Sequence, residues 1–483
     1  MKPDEFRRHG YALVDWIAEY LSGSERYPVL PRVSPGDVRA ALPAAAPESG
    51  EPFEDIFRDF ERVLVPALTH WNHPGFFAYF AITASAPGVL AEFLSAALNQ
   101  QAMLWRTSPA ATELEEVSLR WLRDLLALPD TFEGVIYDTA SISTLHALAA
   151  AREVALPGVR TYGLQGRGAV GGARVYCSEQ AHSSVDKAVI LLGFGHESLR
   201  RIPADRDFRM DADALRQAIE QDVADGARPV AVVATAGTTS TTSVDPIARI
   251  ADLCAEHGIW LHVDAAYAGV TAMLPEHRAS FSGWERADSI VVNPHKWLFV
   301  PVDLSAFYCR RMDVVRAAFS LVPDYLQTAE GTRGVRNLMD TGIQLGRRFR
   351  ALKLWMVLRH FGAAGIRAAL AEHIRLARLF ASWVDGDSRF QRMAPVPFSV
   401  VCFRARPIAI PVDALDRFNE RLLDAVNATG DVFLSHTRLD GAIVLRLAVG
   451  HLETTEAHVA RAWTLLTTHM AALAADGPTQ SRP

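Results

Sequence analysis

The sequence is poor in the features that mark secreted, zinc-binding and nucleic-acid-binding proteins. Its 483 residues include only four cysteines, which lie far apart and form no CxxC pair: Cys177, Cys254, Cys309 and Cys402. This spacing favours reduced thiols in a cytoplasm over a disulfide framework or a zinc site. The 49 basic and 55 acidic residues give a formal net charge of −6 without a basic block. That balance argues against nucleic-acid or anionic-membrane partners.

Long apolar segments are also missing. No uninterrupted apolar run approaches the roughly 18–20 residues that a membrane span needs. The charged start, Met1–His9, lacks the apolar centre of a secretory signal. His70 and His73 are three residues apart, but no HExxH motif or third ligand follows, so we expect no metal site. With 49% hydrophobic and 22% charged residues, the composition is that of an ordinary globular enzyme of the cytoplasm.

Changes of pattern along the chain predict four segments. In the first, two amphipathic helices, Glu5–Ser22 and Phe53–Leu68, flank a Pro-rich arm that either wraps a partner subunit or is a surface linker. The predicted boundaries are an N-terminal helical and wrapping segment at 1–80, a large α/β domain at 81–345, a small α+β domain at 346–475 and a frayed tail at 476–483.

Short apolar runs alternate with helical patterns in the large domain. This alternation predicts an α/β fold with a mostly parallel seven-stranded sheet covered by helices. The predicted strands are Gly134–Asp138, Ala173–Ser178, Leu199–Ile202, Pro229–Thr235, Ile259–Val263, Ser289–Val292 and Leu304–Cys309.

Two further patterns concern helices and the small domain. Thr112-Glu-Leu-Glu115 has the residues of a capping box and predicts the start of a helix. Near the end of the large domain, Gln344–Phe361 predicts a long helix. The strands predicted for the small domain are Ser399–Arg404, Asp431–Ser435 and Ile443–Ala448.

Polar residues follow several predicted strands, where ligands collect in an open α/β sheet. Lys296 stands in an otherwise apolar stretch, and desolvation there would lower its pKa and make it a nucleophilic amine that forms Schiff bases. A lysine that reaches water from a strand end is the simpler alternative. Asp264, 32 residues earlier, ends a buried strand, where a carboxylate is costly unless it meets a cation.

The other polar segments complete a recognisable set. Asp138-Thr-Ala-Ser141 opens a helix whose free N–H groups suit a phosphate, although an ordinary N-cap explains it equally well. Gly237-Thr-Thr239 is a small loop with hydroxyls, and His182 offers a flat imidazole. An acid, a lysine amine and a phosphate-binding helix end together predict a pyridoxal 5'-phosphate site.

Longer motifs that contain these residues resemble the group II pyridoxal phosphate-dependent decarboxylases, the family of the aromatic-L-amino-acid, histidine and tyrosine decarboxylases. The similarity extends from Phe6 to Trp463. The motifs are His73-Pro with Phe76-Phe-Ala-Tyr-Phe80, Ser108-Pro, Gln180-Ala-His-Ser-Ser184, Leu261-His-Val-Asp-Ala-Ala-Tyr-Ala-Gly269, Asn293-Pro-His-Lys-Trp297 and Leu345-Gly-Arg-Arg-Phe-Arg350.

The resemblance implies a fold type I enzyme that decarboxylates an L-amino acid, with aromatic substrates preferred. It implies that Lys296 holds the cofactor, that Asp264 keeps the pyridine nitrogen protonated and that His182 packs on the ring and orients the substrate carboxylate. The full set of implied cofactor contacts is Ala140, Ser141, His182, Thr239, Asp264, Asn293, His295 and Lys296.

The final protonation of the α-carbon is assigned by the resemblance to Tyr325, in Val322-Pro-Asp-Tyr-Leu326. Relatives with phenylalanine at this position behave as aldehyde synthases, so tyrosine favours a simple decarboxylase. Two alternatives stay open: an aromatic aldehyde synthase, and a decarboxylase of acidic amino acids. The family also implies a homodimer with shared active sites, which suits the Pro-rich arm.

Substrate preference depends on positions where the chain departs from animal aromatic decarboxylases. Ala81 and Ile82 replace their proline and threonine, and Gln101 and Met103 replace their isoleucine and phenylalanine. Arg106 either reads an acidic substrate side chain or pairs with a structural acid, such as Glu113 or Glu115. The predicted substrate residues are Tyr79, Phe80, Ala81, Ile82, Gln101, Met103 and His182.

Overall fold

The structure is a computed structural model that describes residues 1–164, 172–321 and 335–475. Tyr325 and the predicted tail at 476–483 lie outside these described residues. The chain forms two compact units. The first unit comprises Met1–Ala81, Arg375–Met393 and Val401–Pro483, and the second comprises Ile82–Ile374 and Ala394–Val400. The domain boundaries at residues 80, 345 and 475 stay a prediction.

The α-helices of the described ranges are, in chain order, α1 Pro3–Ser22, α2 Asp37–Ala41, α3 Phe53–Asp59, α4 Ala86–Leu98, α5 Pro109–Leu125, α6 Ala140–Ala155, α7 Val159–Tyr162, α8 Ser184–Leu191, α9 Ala212–Ala224, α10 Ile247–His257, α11 Pro294–Trp297, α12 Met312–Phe319, α13 Ala351–Gly386, α14 Leu415–Asn427 and α15 Glu456–Ala475. We find no helix in these ranges that is both long enough and apolar enough to cross a membrane.

The strands of the described ranges are β1 Phe76–Phe77, β2 Glu133–Tyr137, β3 Ala173–Ser178, β4 Leu199–Ile202, β5 Arg228–Thr235, β6 Trp260–Asp264, β7 Ser289–Val292, β8 Ser305–Cys309, β9 Phe390–Arg392, β10 Val400–Ala405, β11 Phe433–Leu439 and β12 Ala442–Ala448. They form two sheets, of seven and five strands.

The seven-stranded sheet belongs to the second unit and has the order β2-β8-β7-β6-β5-β3-β4. Strands β3 to β7 pair in parallel, and β8 is antiparallel to both of its neighbours, β7 and β2. The predicted mostly parallel sheet is therefore confirmed. Each of its seven strands lies within one residue of the predicted bounds, because most of these segments are buried and several are rich in β-branched residues.

Helix α6 covers one face of this sheet. Its inward side consists largely of small residues, including Ala147, Ala150 and Ala151, which are fully buried. Because these side chains are small, the helix can approach the strands closely. The cluster beneath it includes Val175, Val233 and Phe307 from three strands. The helix and the strands thus share one apolar core. At one edge of the sheet, the carboxyl ends of the strands lead into the polar residues of the candidate site.

The five-stranded sheet has the order β1-β11-β12-β10-β9. Its strands β10, β11 and β12 overlap the three predicted strands of the small α+β domain. The two outer strands, β1 and β9, were not predicted, because segments of two and three residues are too short to show a period of two. In β1, Phe76 and Phe77 pair in parallel with Phe433 and Leu434 of β11.

Two predicted helix starts are wrong. Helix α5 begins at Pro109 after Ser108, so Thr112 lies inside the helix, where its hydroxyl donates to Ser108 O at 3.0 Å. Serine followed by proline is itself a helix-start signal, which the apparent capping box obscured. The long helix α13 begins at Ala351 rather than Gln344 and continues to Gly386 across a non-helical Gly362. Tertiary hydrogen bonds hold the residues before it, as Arg347 N–H donates to Gln101 Oε1 at 2.6 Å.

Candidate active site

The predicted cofactor residues collect at one edge of the seven-stranded sheet. Strands β2, β3, β5, β6 and β7 all run in the same direction, so their carboxyl ends share this edge. Each of these strands ends just before or at one of the predicted groups. In strand order along the chain, the groups are Ala140 and Ser141, His182, Thr239, Asp264, and Asn293 with His295 and Lys296.

Asp264 is the last residue of β6 and is only 7% exposed. It is held in register between Thr235 of β5 and Val291 of β7. One carboxylate oxygen, Oδ1, accepts the Ala266 N–H at 3.1 Å. Its negative charge acts on both Lys296 and His182, which places a carboxylate within electrostatic reach of the lysine amine and the imidazole.

Lys296 lies on α11, a single helical turn that follows β7. The other three residues of this turn are buried. Burial lowers the pKa of its ammonium group, and the charge of Asp264 partly opposes that shift. A lowered pKa leaves more of the amine neutral at a given pH, and the neutral amine is the nucleophile. The structure thus gives Lys296 the environment of a reactive amine.

His182 lies between β3 and α8, with its side chain exposed at the same edge. Its Nδ1 accepts the Ser184 N–H at 3.1 Å, so the neutral ring carries its proton on Nε2. Partial burial lowers the pKa of His182, the charge of Asp264 raises it, and the charge of Lys296 lowers it again. At neutral pH the ring is therefore uncharged and presents an Nε2–H donor.

The start of α6 fits a phosphate group. The N–H groups of Ile142 and Ser143 bond to Thr139 O at 3.1 Å, and no side chain caps the first turn. Ala140 and Ser141 are the first two residues of the helix, and their N–H groups lie just before these two. The Ser141 side chain is exposed. A 16-residue helix that begins in this way presents N–H donors and the positive end of its dipole to an anion.

Asn293 and His295 supply a second indication of a bound anion. Leu304 N–H donates to His295 Nδ1 at 2.9 Å, and burial lowers the pKa of His295 to about 4. The neutral ring must therefore carry its proton on Nε2, which lies 3.3 Å from the Asn293 amide. An Nε2–H bonds to the amide oxygen, so the buried Asn293 NH2 group, on the other side of that amide, is left to donate elsewhere. Placed as an oxygen, the outward atom of this buried amide has no hydrogen-bond partner among the described residues.

The loop after β5 brings Thr239 to the edge. Gly237 has φ +99° and passes so close to Ala268 that a Cβ would lie 2.6 Å from the Ala268 Cβ, which explains the glycine. Thr238 and Thr241 are buried and hydrogen-bonded to each other at 2.9 Å. Thr239 is the exposed residue of this turn, and the rigid loop presents it to solvent.

The predicted substrate residues are divided between the two units. In the second unit, Gln101 and Met103 contact the segment before α13: Gln101 accepts the Arg347 N–H, and Met103 packs with Met339. Ile82 in the same unit is partly buried. In the first unit, Tyr79, Phe80 and Ala81 follow β1. Their role in substrate binding stays a prediction.

Arg446 of the first unit was missed by the sequence analysis, although an arginine in an apolar strand is an unusual signal. It is only 4% exposed, and its guanidinium donates to Tyr79 O at 3.3 Å and Ser435 Oγ at 3.2 Å. The same group lies 5.3 Å from the centre of the Phe80 ring. Arg446 thus fixes two of the predicted substrate residues.

The two acids named as candidate partners of Arg106 bind other groups. Glu113 accepts the indole N–H of Trp105 at 2.8 Å, and the buried Glu115 pairs with Arg347 at 2.8 Å. Arg106 is exposed, and we find no ion pair for it among the described residues. Arg347 could not be recognised from the sequence as the partner of Glu115, because 232 residues separate the two.

These features define a class of enzyme: an α/β fold with a lysine amine, an acid and an anion-binding helix end at the carboxyl edge of its sheet. Comparison with known proteins agrees. Residues 35–406 match the family model described as the pyridoxal-dependent decarboxylase conserved domain. The aromatic-L-amino-acid decarboxylase of Sus scrofa is 41% identical over 493 residues, which cover 99% of this chain and 97% of the relative.

Two further relatives extend this picture. The phenylacetaldehyde synthase of a Rosa hybrid cultivar is 38% identical over 489 residues, covering 98% of this chain and 95% of the relative. The crystal structure of Oryza sativa TDC with PLP and tryptamine superposes with a TM-score of 0.94 at 36% identity, covering 98% of this chain and 99% of that one. The chain belongs to the pyridoxal-dependent decarboxylase family, and the resemblance seen in the sequence is confirmed. It is a pyridoxal phosphate-dependent carboxy-lyase with the type I fold.

Proposed function

We propose that the protein decarboxylates an aromatic L-amino acid to the corresponding amine and CO2. The observation that carries this proposal is the grouping of Lys296, Asp264 and His182 at the edge of the sheet, with charges that act on one another. The aromatic preference is supported by relatives named as aromatic-L-amino-acid, tryptophan and tyrosine decarboxylases.

The residues fit pyridoxal phosphate as follows. Lys296 would hold the cofactor's aldehyde carbon through its amine, which its lowered pKa makes nucleophilic. Asp264 would face the pyridine nitrogen and keep it protonated, because a nearby negative charge favours the charged form. When bound, the cofactor supplies an electron sink for the electron pair that remains on the α-carbon as CO2 leaves.

The phosphate would lie against the N–H groups of Ala140 and Ser141 and the amide of Asn293, with His295 holding that amide in place. Thr239 would approach the cofactor from the loop after β5. His182 would pack on the ring and donate its Nε2–H to the substrate carboxylate, which orients that group for departure. Tyr325, outside the described residues, is proposed to return a proton to the α-carbon.

An aromatic aldehyde synthase is the second candidate, because the Rosa relative has that activity by name. Tyr325 favours the amine product. A preference for acidic substrates is a third candidate, and the exposed Arg106 is the residue that would serve it. Turnover of aspartate or glutamate that disappears in Arg106→Ala would establish that preference.

We also propose a cytoplasmic homodimer with shared active sites. All four cysteines are buried and none of them forms a disulfide, as expected in a reducing compartment. Two helices carry exposed apolar stripes that suit a subunit interface: Phe6, Tyr11 and Val14 on α1, and Leu90, Phe93, Leu94 and Leu98 on α4. Sedimentation at micromolar concentration should give twice the chain mass, and a monomer would contradict the proposal.

The function is tested by measuring CO2, amine, aldehyde and peroxide with the twenty amino acids, 3,4-dihydroxyphenylalanine and 5-hydroxytryptophan. We expect CO2 and amine in equal amounts from aromatic substrates. Lys296→Ala should abolish turnover, whereas Lys187→Ala, which removes an exposed lysine of α8, should not. Wild-type CO2 release by Lys296→Ala would overturn the proposal, and equal amounts of aldehyde and peroxide would favour the second candidate.

A further inference from the structure

A chain of buried polar side chains crosses the interface between α6 and the seven-stranded sheet. The Trp260 indole donates to Ser289 Oγ at 3.0 Å, and the same hydroxyl lies 2.9 Å from His262 Nδ1. On the other side of the ring, His262 Nε2 lies 3.4 Å from Thr144 Oγ1. His262, Ser289 and Thr144 are all 0% exposed, so these contacts lie out of reach of bulk solvent.

The imidazole of His262 bridges the strand and the helix in its neutral form. Burial lowers its pKa to about 4, which excludes the charged ring at neutral pH. A neutral ring has one donor and one acceptor, and the Ser289 and Thr144 hydroxyls can each serve either one. Both contacts are therefore satisfied for either tautomer, and loss of the Thr144 hydroxyl leaves a buried ring nitrogen unpaired.

Thr144 and His262 connect the two ends of the proposed cofactor site, the phosphate-binding start of α6 and the carboxylate of Asp264. On α6, Thr144 lies about 6 Å along the helix from Ala140, where the phosphate-binding N–H groups begin. On β6, His262 lies two residues before Asp264 and on the same face of the strand. A second polar contact joins α6 to β8, because Ser143 Oγ lies 2.9 Å from Ser305 Oγ.

Apolar packing alone would leave the position of α6 along its axis weakly defined. Its inward residues are largely alanine and leucine, and burial of such surface is not directional. Hydrogen bonds restrict donor and acceptor to within a few tenths of an ångström and to a narrow range of angles. The polar contacts of Thr144 and Ser143 thus fix how far the start of α6 extends beyond the sheet edge.

We infer that His262, through Thr144, is a positioning residue that sets the start of α6 at the distance from Asp264 and Lys296 that a phosphorylated cofactor requires. This inference rests on the proposed function. His262 is fully buried, and through Thr144 it acts on the helix whose start forms the phosphate end of the site. Loss of the Thr144 contact should therefore weaken the binding of pyridoxal phosphate and spare that of pyridoxal, which lacks the phosphate.

The test compares the dissociation constants of both compounds for the apoenzyme, measured from protein fluorescence and cofactor absorbance. Thr144→Val keeps the shape of the side chain and removes the hydroxyl. We expect it to lower the preference for pyridoxal phosphate over pyridoxal about fivefold, the effect of losing one hydrogen bond worth about 1 kcal/mol. Thr144→Ser keeps a hydroxyl at this position. Its preference for pyridoxal phosphate over pyridoxal should therefore stay within about twofold of the wild-type preference.

Two further variants separate positioning from general damage to the fold. Ser305→Ala cuts the second contact without altering α6 and should lower the same preference. Tyr308→Phe removes a buried hydroxyl that donates to Leu119 O at 2.9 Å from the same sheet, and should leave the preference unchanged. Wild-type preference in Thr144→Val and Ser305→Ala, or equal losses for both compounds, would overturn this inference alone. A wild type that does not prefer pyridoxal phosphate would overturn the cofactor site itself.

Discussion

The buried ion pair of Glu115 and Arg347 offers a stability prediction with a definite sign. Glu115 on α5 is 2% exposed and Arg347 is 7% exposed. The guanidinium donates to Glu115 Oε1 at 2.8 Å, to Ile136 O at 2.8 Å and to Ala102 O at 3.3 Å. Glu115 also accepts the Ile136 N–H at 2.8 Å. The pair therefore ties α5 and the segment before α13 to β2, the strand that leads into the proposed phosphate site.

Replacing one partner leaves the other as a buried charge. Arg347→Met leaves the Glu115 carboxylate with a single N–H donor, and we expect a loss of about 3–5 kcal/mol in the free energy of unfolding. Glu115→Gln keeps the oxygen that accepts both the Ile136 N–H and the Arg347 guanidinium but removes its charge, so we expect about 1.5–3 kcal/mol. Adding Glu115→Gln to Arg347→Met removes the unpaired carboxylate, so the double variant should be more stable than Arg347→Met alone.

Urea unfolding, followed by tryptophan fluorescence and circular dichroism, measures these differences. The matched control is Glu133→Gln at the start of β2, which breaks the exposed pair of Glu133 with Arg316 (2.6 Å apart) and should cost less than about 1 kcal/mol. The reasoning is refuted if Arg347→Met costs no more than this control. A double variant that is less stable than Arg347→Met would also refute it.

Two other predictions concern product and pH. Tyr325→Phe should shift the product from amine to aldehyde with release of ammonia and peroxide, and an unchanged amine yield would remove Tyr325 from its proposed role. Burial raises the pKa of Asp245 to about 6, whereas an aspartate of the unfolded chain has a pKa of about 4. Between these two pH values the folded protein therefore binds a proton that the unfolded chain does not. The contribution of Asp245 to stability should therefore rise by about 1.4 kcal/mol from pH 7.5 to pH 5, relative to Asp245→Asn. Equal differences between the two urea midpoints at both pH values would contradict this.

The large sheet was predictable because its strands are short, buried and bounded by helical patterns. Asp264 and Lys296 could be found for the same reason, since a charged residue at the end of an apolar strand breaks the local pattern visibly. The motifs of the resemblance added Asn293 and Tyr325 and gave His182 its expected role. Their proposed roles follow from the family and from the geometry of the sheet edge.

Other features depend on contacts that the local sequence does not encode. The start of α13 was misplaced because Gln344 to Arg350 has a helix-compatible composition, while hydrogen bonds from distant segments hold it in another conformation. Strands β1 and β9 are formed only by pairing with distant partners. His262 looked like one residue of an apolar strand, and only the fold shows that its ring reaches Thr144.

The central claim is that Lys296 is the residue that holds the cofactor. The chain has only four lysines, Lys2, Lys187, Lys296 and Lys353, so chemical mapping can test it without ambiguity. The enzyme is loaded with pyridoxal phosphate, reduced with borohydride, digested and analysed by mass spectrometry. We predict a single phosphopyridoxyl group on Lys296, accompanied by loss of the visible absorbance of the bound cofactor. Modification of another lysine in its place, or an unmodified Lys296 peptide from fully loaded enzyme, would contradict the account.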